Sequence, residues 1–313
     1  MTDQPGLLRD LVATYVAEQC RVLIEAEPLL RAGEPVVHTT RVAVRRLRST
    51  MRTCAELFDP DRVAQLEPEL VWWAGRLGAV RDLDILAERM SGRLAKLPPE
   101  IVLGPVANTI TTEITAQRKT GFGEVLTGMN SSRYRALVIE LHRWQQGAPF
   151  TEAADVPAPE IDREVKRAGK KVDKRIEEAA EACRAGDEQA DELLHSARKA
   201  GKRHRYVGEL AQPTLGAKAE KVVRRRKKLQ DVLGDHQDSH VAAAFVREVG
   251  ARAGTRKGQN GFTYGVLLGI ERQNLQQIRD ALARSKRGSG EAALLHLTGY
   301  GSAPGPCGPS GQL

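Results

Sequence analysis

One stretch constrains this chain more than any other, because it occurs twice. His38-Thr39-Thr40-Arg41-Val42-Ala43-Val44-Arg45-Arg46-Leu47-Arg48 returns as His195-Ser196-Ala197-Arg198-Lys199-Ala200-Gly201-Lys202-Arg203-His204-Arg205, with Tyr206 following. In each copy a His is followed three, seven, eight and ten residues later by a cation, giving H-x-x-R-x-x-x-[RK]-R-x-R. Positions that step by three and four share one face of an α-helix, so His38, Arg41, Arg45, Arg48 and Arg52 form a basic stripe. Val37, Val44, Leu47, Met51, Cys54 and Phe58 step the same way beside it and form an apolar one. In the second copy His195, Arg198, Lys202 and Arg205 repeat the basic stripe. Its neighbour is made of small residues, Ala197, Gly201, Gly208 and Ala211, which suit close approach of another helix. A chain built on such a repeat folds as packed helices that bury one stripe and show cations along its edge.

Like charges one turn apart destabilise an isolated helix by about 0.2 to 0.5 kcal/mol per pair. Compensation can come from within, through Asp82 and Asp84 in one half and Asp235 and Asp238 in the other, or the stripes can simply face solvent. Duplication in matched positions favours a bound anion. The whole chain leans the same way: 48 Lys and Arg stand against 40 Asp and Glu, a net charge of +8. The expected partners are anionic. Aromatic residues are only 4% of the chain, which leaves few platforms for stacking nucleic-acid bases.

Other function classes are excluded by what the sequence lacks. Cys20, Cys54, Cys183 and Cys307 are widely separated, which fits neither a zinc knuckle nor a disulfide framework. No apolar run is long enough to span a membrane, and Met1 to Gly6 is polar and acidic rather than a secretory leader. A cytoplasmic protein without a membrane partner is the expectation.

The periodicity is helical throughout. Leu8, Leu11, Val12, Tyr15, Val16 and Leu23 mark a first helix ending near Pro28 or Gly33, and the first basic helix runs from about Pro35 to Phe58. Asp59-Pro60-Asp61 is a turn and cap. Pro68 and Pro105 are read as first-turn residues of further helices, and Ser131 to Gln146 closes the half. A proline-bearing linker, 147–159, separates two bundles, 7–146 and 160–286. The second half repeats the order: a charged helix from Glu160 to Cys183, the second basic helix to Gln212-Pro213, a long helix from about Gly216, and a last one from about Gly261 to Lys286. Residues 287–313, rich in Gly, Pro and Ser, read as a disordered tail.

The duplication extends further. Leu77-Gly78-Ala79-Val80-Arg81-Asp82 matches Leu233-Gly234-Asp235-His236-Gln237-Asp238 as L-G-x-x-[RQ]-D, and Tyr134-Arg135-Ala136-Leu137 corresponds to Tyr264-Gly265-Val266-Leu267. Together these motifs resemble the CHAD family, the conserved histidine α-helical domain, over residues 7 to 286. The resemblance implies an all-α fold of two four-helix bundles about a pseudo-twofold axis, a central basic cavity that binds inorganic polyphosphate, and association with polyphosphate granules. It carries over His38, Arg41, Arg45, Arg46 and Arg48, with His195, Arg198, Lys199, Lys202, Arg203, Arg205 and Tyr206, as ligand-facing residues. Two departures stand out: Gln237 replaces the Arg81 of the first turn motif, and Gly201 and Gly208 interrupt the second basic helix.

The physics runs parallel. Polyphosphate is a flexible line of charge without bases to read, and a helical stripe presents a cation about every 5.4 Å. Arginine suits bidentate contact with phosphate oxygens. Whether His38 and His195 donate to phosphate or only pack and orient their stripes is open. Arg46 and Arg203 point about 100° away from their stripes. Lys218, Lys221, Arg225 and Lys228 make a further stripe, and Arg225 and Lys228 join the candidate ligand set with Arg52. His236 and His240, one turn apart with Asp235 and Asp238 nearby, resemble a helical metal site, but Gln237 stands where the zinc-protease pattern needs Glu. No metal, cofactor or catalytic residue is assigned. The alternatives to a polyphosphate binder are a nucleic-acid or general polyanion binder and a polyphosphate-cleaving enzyme.

Overall fold

The computed structural model of the chain describes residues 6–255 and 260–299. Ten α-helices follow in order: α1 Leu8–Arg31, α2 Val37–Thr53, α3 Pro60–Leu94, α4 Val106–Met129, α5 Ser132–Gln146, α6 Ile161–Ala185, α7 Ala190–Leu215, α8 Ala217–Ala253, α9 Phe262–Ala283 and α10 Gly290–Leu295. The described residues form no strand, only two isolated bridges, Leu7 with Pro157 and Phe58 with Phe150. The all-α reading holds.

Local chemistry sets the boundaries. The Asp59 carboxylate accepts from the backbone of Asp61 and Arg62 and starts α3 with Pro60 in its first turn, as the sequence indicates. Ser131 accepts from Tyr134 N and starts α5. Gly186 ends α6 at φ +67°, a conformation that disfavours any side chain. Pro68 behaves differently from the expectation: it lies inside α3, which runs on through it to Leu94. The packing of Leu66, Leu70 and Trp73 on either side holds that helix together despite the lost N–H.

Three apolar clusters organise these helices. The first draws Val44, Leu47 and Met51 of α2, Trp73 and Leu77 of α3, and Leu137 and Trp144 of α5 against α1. It also takes in Ile161 and Val165 of α6 and Val207, Leu210 and Ala211 of α7. A second joins Val172 and Ile176 of α6, Ala197 and Ala200 of α7, Leu229 and Leu233 of α8, and Ile278 and Leu282 of α9. The third lies where the long helices α3 and α8 converge, with Leu86, Met90, Val246 and Val249 packed on Val106, Ile110 and Ile114 of α4 and on Tyr264 and Leu267 of α9.

The halves correspond through α1 and α6, α2 and α7, and α3 and α8. They diverge afterwards. In the first half α4 packs on α3 and α5 on α1; in the second, α9 packs on both α8 and α6. Tyr134 therefore tilts against Trp73 in the first core, at 4.7 Å between rings, whereas Tyr264 sits in the third, over Gly250. Part of the segment read as a disordered tail is ordered. After the Gly288 turn, α10 folds back, buries Leu294, and holds the Glu291 carboxylate between Arg225 and Arg226 at 2.6 to 2.8 Å. Residues 300–313 lie outside the described ones.

Candidate functional site

The two basic helices pack against each other. The small stripe of α7 is turned to a third helix: a Cβ on Gly208 would meet Val222 and Val223 of α8 at 3.2 Å, and one on Gly201 would meet Leu229 of α8 at 3.6 Å, so the small residues of α7 do admit a close neighbour. The cationic stripes are left facing a cleft of about 360 Å³ between α2, α3, α7 and α8. It is lined by His38, Arg41 and Arg45 of α2, Arg81, Asp82 and Arg89 of α3, His195, Arg198, Lys202 and Arg205 of α7, and Lys227, Gln230, Asp231, Gln237 and Asp238 of α8. Eight Lys or Arg side chains thus meet three Asp side chains, and the remaining lining, Ile85, Leu86 and Val241, contains no Phe, Trp or Tyr.

Three of the cleft arginines, Arg41, Arg89 and Arg205, are paired. Arg41 donates to Asp82 at 2.7 Å and lies flat over α3, where a Cβ on Gly78 would stand 3.3 Å from its guanidinium. The glycine of the L-G-x-x-R-D motif is therefore the seat of an arginine from the other motif. Arg205 donates to Glu209 at 2.8 Å and to Gln230 at 3.1 Å. Arg89 is tied to Asp235 at 2.6 Å and to the fully buried Glu271, which makes it a clamp between α3, α8 and α9.

Three others are not. Arg45, Arg198 and Lys202 form no ion pair among the described residues, and the buried Nε atoms of Arg45 and Arg198 have no acceptor. Burial, with Arg198, Arg45 and Arg41 around it, brings Lys202 down to about 7. Burial also lowers Arg198, and it raises Asp238 in spite of the Arg198 guanidinium nearby. Burial, then Arg81, lowers His38; burial, then Lys199, lowers His195. Both histidines line the cleft, so near neutral pH each offers it an uncharged ring, and the His195 Nδ1 is buried with no partner. Uncompensated buried charge is costly. This is a cleft electrostatically prepared for an anion.

The other sequence candidates lie elsewhere. Arg46 turns away from the cleft to Glu209, which thereby bridges α2 and α7. Arg48 and Arg52 share Glu67. Arg52 and Arg203 line a separate recess of about 290 Å³ with Arg167 and Lys171. Tyr206 is buried, Lys199 is exposed beside His195, and Lys228 is exposed outside the cleft lining. Arg225 is bound to Glu291 on α10. Of the acidic residues read as neutralisers, Asp82 serves Arg41, Asp84 serves Arg118, Asp235 serves Arg89, and Asp238 faces Arg198 from the cleft wall. The metal pattern drawn around His236 also changes partner, since Asp235 is engaged by Arg89 and Asn274.

Three lining cations were not in the sequence set: Arg81, Arg89 and Lys227. Arg81, Ile85 and Arg89 step by four on α3, a signal present in the sequence but split by the intervening acids. Lys227 replaces Arg225 and Lys228 because successive residues of that basic run turn by about 100° each.

The family model of the CHAD domain matches residues 14–247. The chain belongs to the CHAD family. The uncharacterized protein Rv2226 of Mycobacterium tuberculosis (strain ATCC 25618 / H37Rv) is 30% identical to this CHAD protein over 279 residues, covering 89% of the chain and 53% of the relative. The uncharacterized protein MT2285 of strain CDC 1551 / Oshkosh matches to the same extent. The chain spans about half the length of the curated relatives it matches. Among solved structures, PptA from Streptomyces chartreusis superposes with a TM-score of 0.72 at 21% identity, covering 93% of this chain and 99% of that one. The CHAD domain from the plant Ricinus communis superposes with a TM-score of 0.64 at 22% identity, covering 91% and 94%. The CHAD fold is shared with both. No helix among the described residues is long and apolar enough to cross a membrane.

Proposed function

We propose that this CHAD chain binds inorganic polyphosphate in the cleft between α2, α3, α7 and α8, as a non-enzymatic module, and that this binding associates it with polyphosphate granules in the cytoplasm. The observation that carries the reading is the set of unpaired, partly buried cations, Arg45, Arg198 and Lys202, in a cleft lined by no Phe, Trp or Tyr. A chain of phosphates supplies closely spaced charge to such a centre and asks for no base stacking. Arg41 and Arg205, already held by Asp82 and Glu209, keep their remaining N–H donors fixed in direction, which favours bidentate phosphate contact.

A competition titration of long-chain polyphosphate against single- and double-stranded DNA, at equal phosphate concentration and at low and physiological salt, tests the reading. All affinities fall with salt through counterion release. Polyphosphate wins at physiological salt if the cleft selects a bare phosphate chain; equal competition by DNA means a general polyanion binder. Release of orthophosphate on incubation with polyphosphate would overturn the non-enzymatic part.

A further inference from the structure

A turn away from the cleft lies a cluster that polyphosphate binding does not use. His236 and His240 stand one turn apart on α8, and their rings meet edge to face with centroids 4.8 Å apart. Asp191, in the first turn of α7, places one carboxylate oxygen 3.2 Å from His236 Nε2 and the other 2.9 Å from His240 Nε2. The His236 side chain is only 4% exposed. Both Nε2 atoms are buried, and the one carboxylate of Asp191 is their shared neighbour.

We propose that Asp191, His236 and His240 form a binding site for a divalent transition metal, with Zn²⁺ the preferred ion. The three donor atoms lie within 4.8 Å of one another. Tetrahedral zinc with bonds of about 2.0 to 2.1 Å separates its donors by roughly 3.4 Å, so small side-chain rotations close the site. Two imidazoles select zinc and its neighbours over magnesium and calcium, which prefer all-oxygen sites. Two histidines at i and i+4 with a carboxylate from another helix leave a fourth position to solvent.

Arg279 supplies the positive charge when no metal is bound. Its Nε donates to Asp191 at 2.8 Å and its Nη2 to the other carboxylate oxygen, while its side chain is 35% exposed and free to swing into water. The metal and the guanidinium compete for one carboxylate, so metal entry displaces the Arg279 side chain of α9 from Asp191 and loosens the tie between α7 and α9. The site does not depend on the polyphosphate reading, since none of its three ligands lines the cleft.

The test uses the full chain in phosphate-free buffer, with Co²⁺ as the spectroscopic probe and Zn²⁺ as competitor. The expected result is a saturable visible absorption at one equivalent of Co²⁺, abolished by Zn²⁺. His240→Ala, at a partly exposed position, weakens binding at least about 10-fold with unchanged helicity, and Asp191→Asn does the same. Arg279→Gln tightens binding several-fold. Absence of a saturable band, a band untouched by His240→Ala, or no tightening in Arg279→Gln overturns the proposal.

Discussion

The two basic helices descend from one pattern and solve opposite problems. On α2 the cations are largely accounted for: Arg41 rests on Asp82, Arg46 on Glu209, and Arg48 and Arg52 on Glu67. On α7 only Arg205 has such a partner, while Arg198 and Lys202 are buried deeper and left uncompensated. The apolar stripe of α2 fixes that helix in the first core, and the small stripe of α7 lets α8 close in and bury its cations. One helix anchors the cleft and the other charges it.

Four predictions follow from that division. Reversing one charge on each helix, Arg41→Glu with Arg198→Glu, lowers polyphosphate affinity at least about 100-fold, on the order of 3 kcal/mol, with unchanged helicity by circular dichroism. Retained affinity would mean that the stripes are solvated faces.

Neutralising the two helices singly separates their roles. Arg198→Met removes a buried unpaired charge, so it raises stability by about 1 to 3 kcal/mol in denaturant unfolding while weakening polyphosphate binding. Arg41→Met removes a pair whose Asp82 is half exposed, and moves stability by less than about 1 kcal/mol. Equal effects on stability would erase the distinction between the helices.

The pH dependence sharpens it further. Lys202 has a folded pKa of about 7 against an ordinary 10.5. Between those values the unfolded chain binds more protons than the folded one, so ligand-free stability rises with pH across that window. Polyphosphate affinity falls over the same window as the ammonium is lost. Opposite slopes in thermal unfolding and in binding, both flattened by Lys202→Met, are the expected signature.

The smallest effect concerns the two matched glycines of the L-G-x-x-[RQ]-D motif, which lie inside α3 and α8 rather than in turns. Gly78→Ala pushes on the Arg41 guanidinium 3.3 Å away and weakens binding a few-fold. Gly234→Ala meets nothing within 4 Å and stabilises α8 by up to about 1 kcal/mol, measured by thermal unfolding. The two substitutions are identical in sequence motif and differ only in what lies opposite.

How much of this was legible beforehand follows from range. The helical stripes, the Asp59 and Ser131 caps and the order of elements are local, and periodicity and cap chemistry reveal them. So are His38, Arg41, Arg45, His195, Arg198, Lys202 and Arg205, which share faces on two helices. Arg89 was hidden because its partners, Asp235 and Glu271, come from α8 and α9, and no spacing links them to α3. Asp191 is hidden for the same reason: it comes from α7, whereas spacing along α8 points only to Asp235 and Asp238 beside His236. Arg46, implied by the resemblance, and Arg225, implied by its helical stripe, are held instead by Glu209 and Glu291, acids that no local spacing links to them. Pro68 misled because a helix interior supported from both sides tolerates a proline that an exposed helix does not.

The first apolar cluster has a last consequence. Because Ile161, Val165, Val207 and Leu210 complete a core begun by α1, α2, α3 and α5, the segment between Gln146 and Ile161 is a splice across a surface already sealed. Cutting the chain there yields two fragments with matching sticky faces, each lacking part of a shared interior. Co-expressed, they should reassemble without the covalent link; alone, each exposes the apolar ground the other was made to cover.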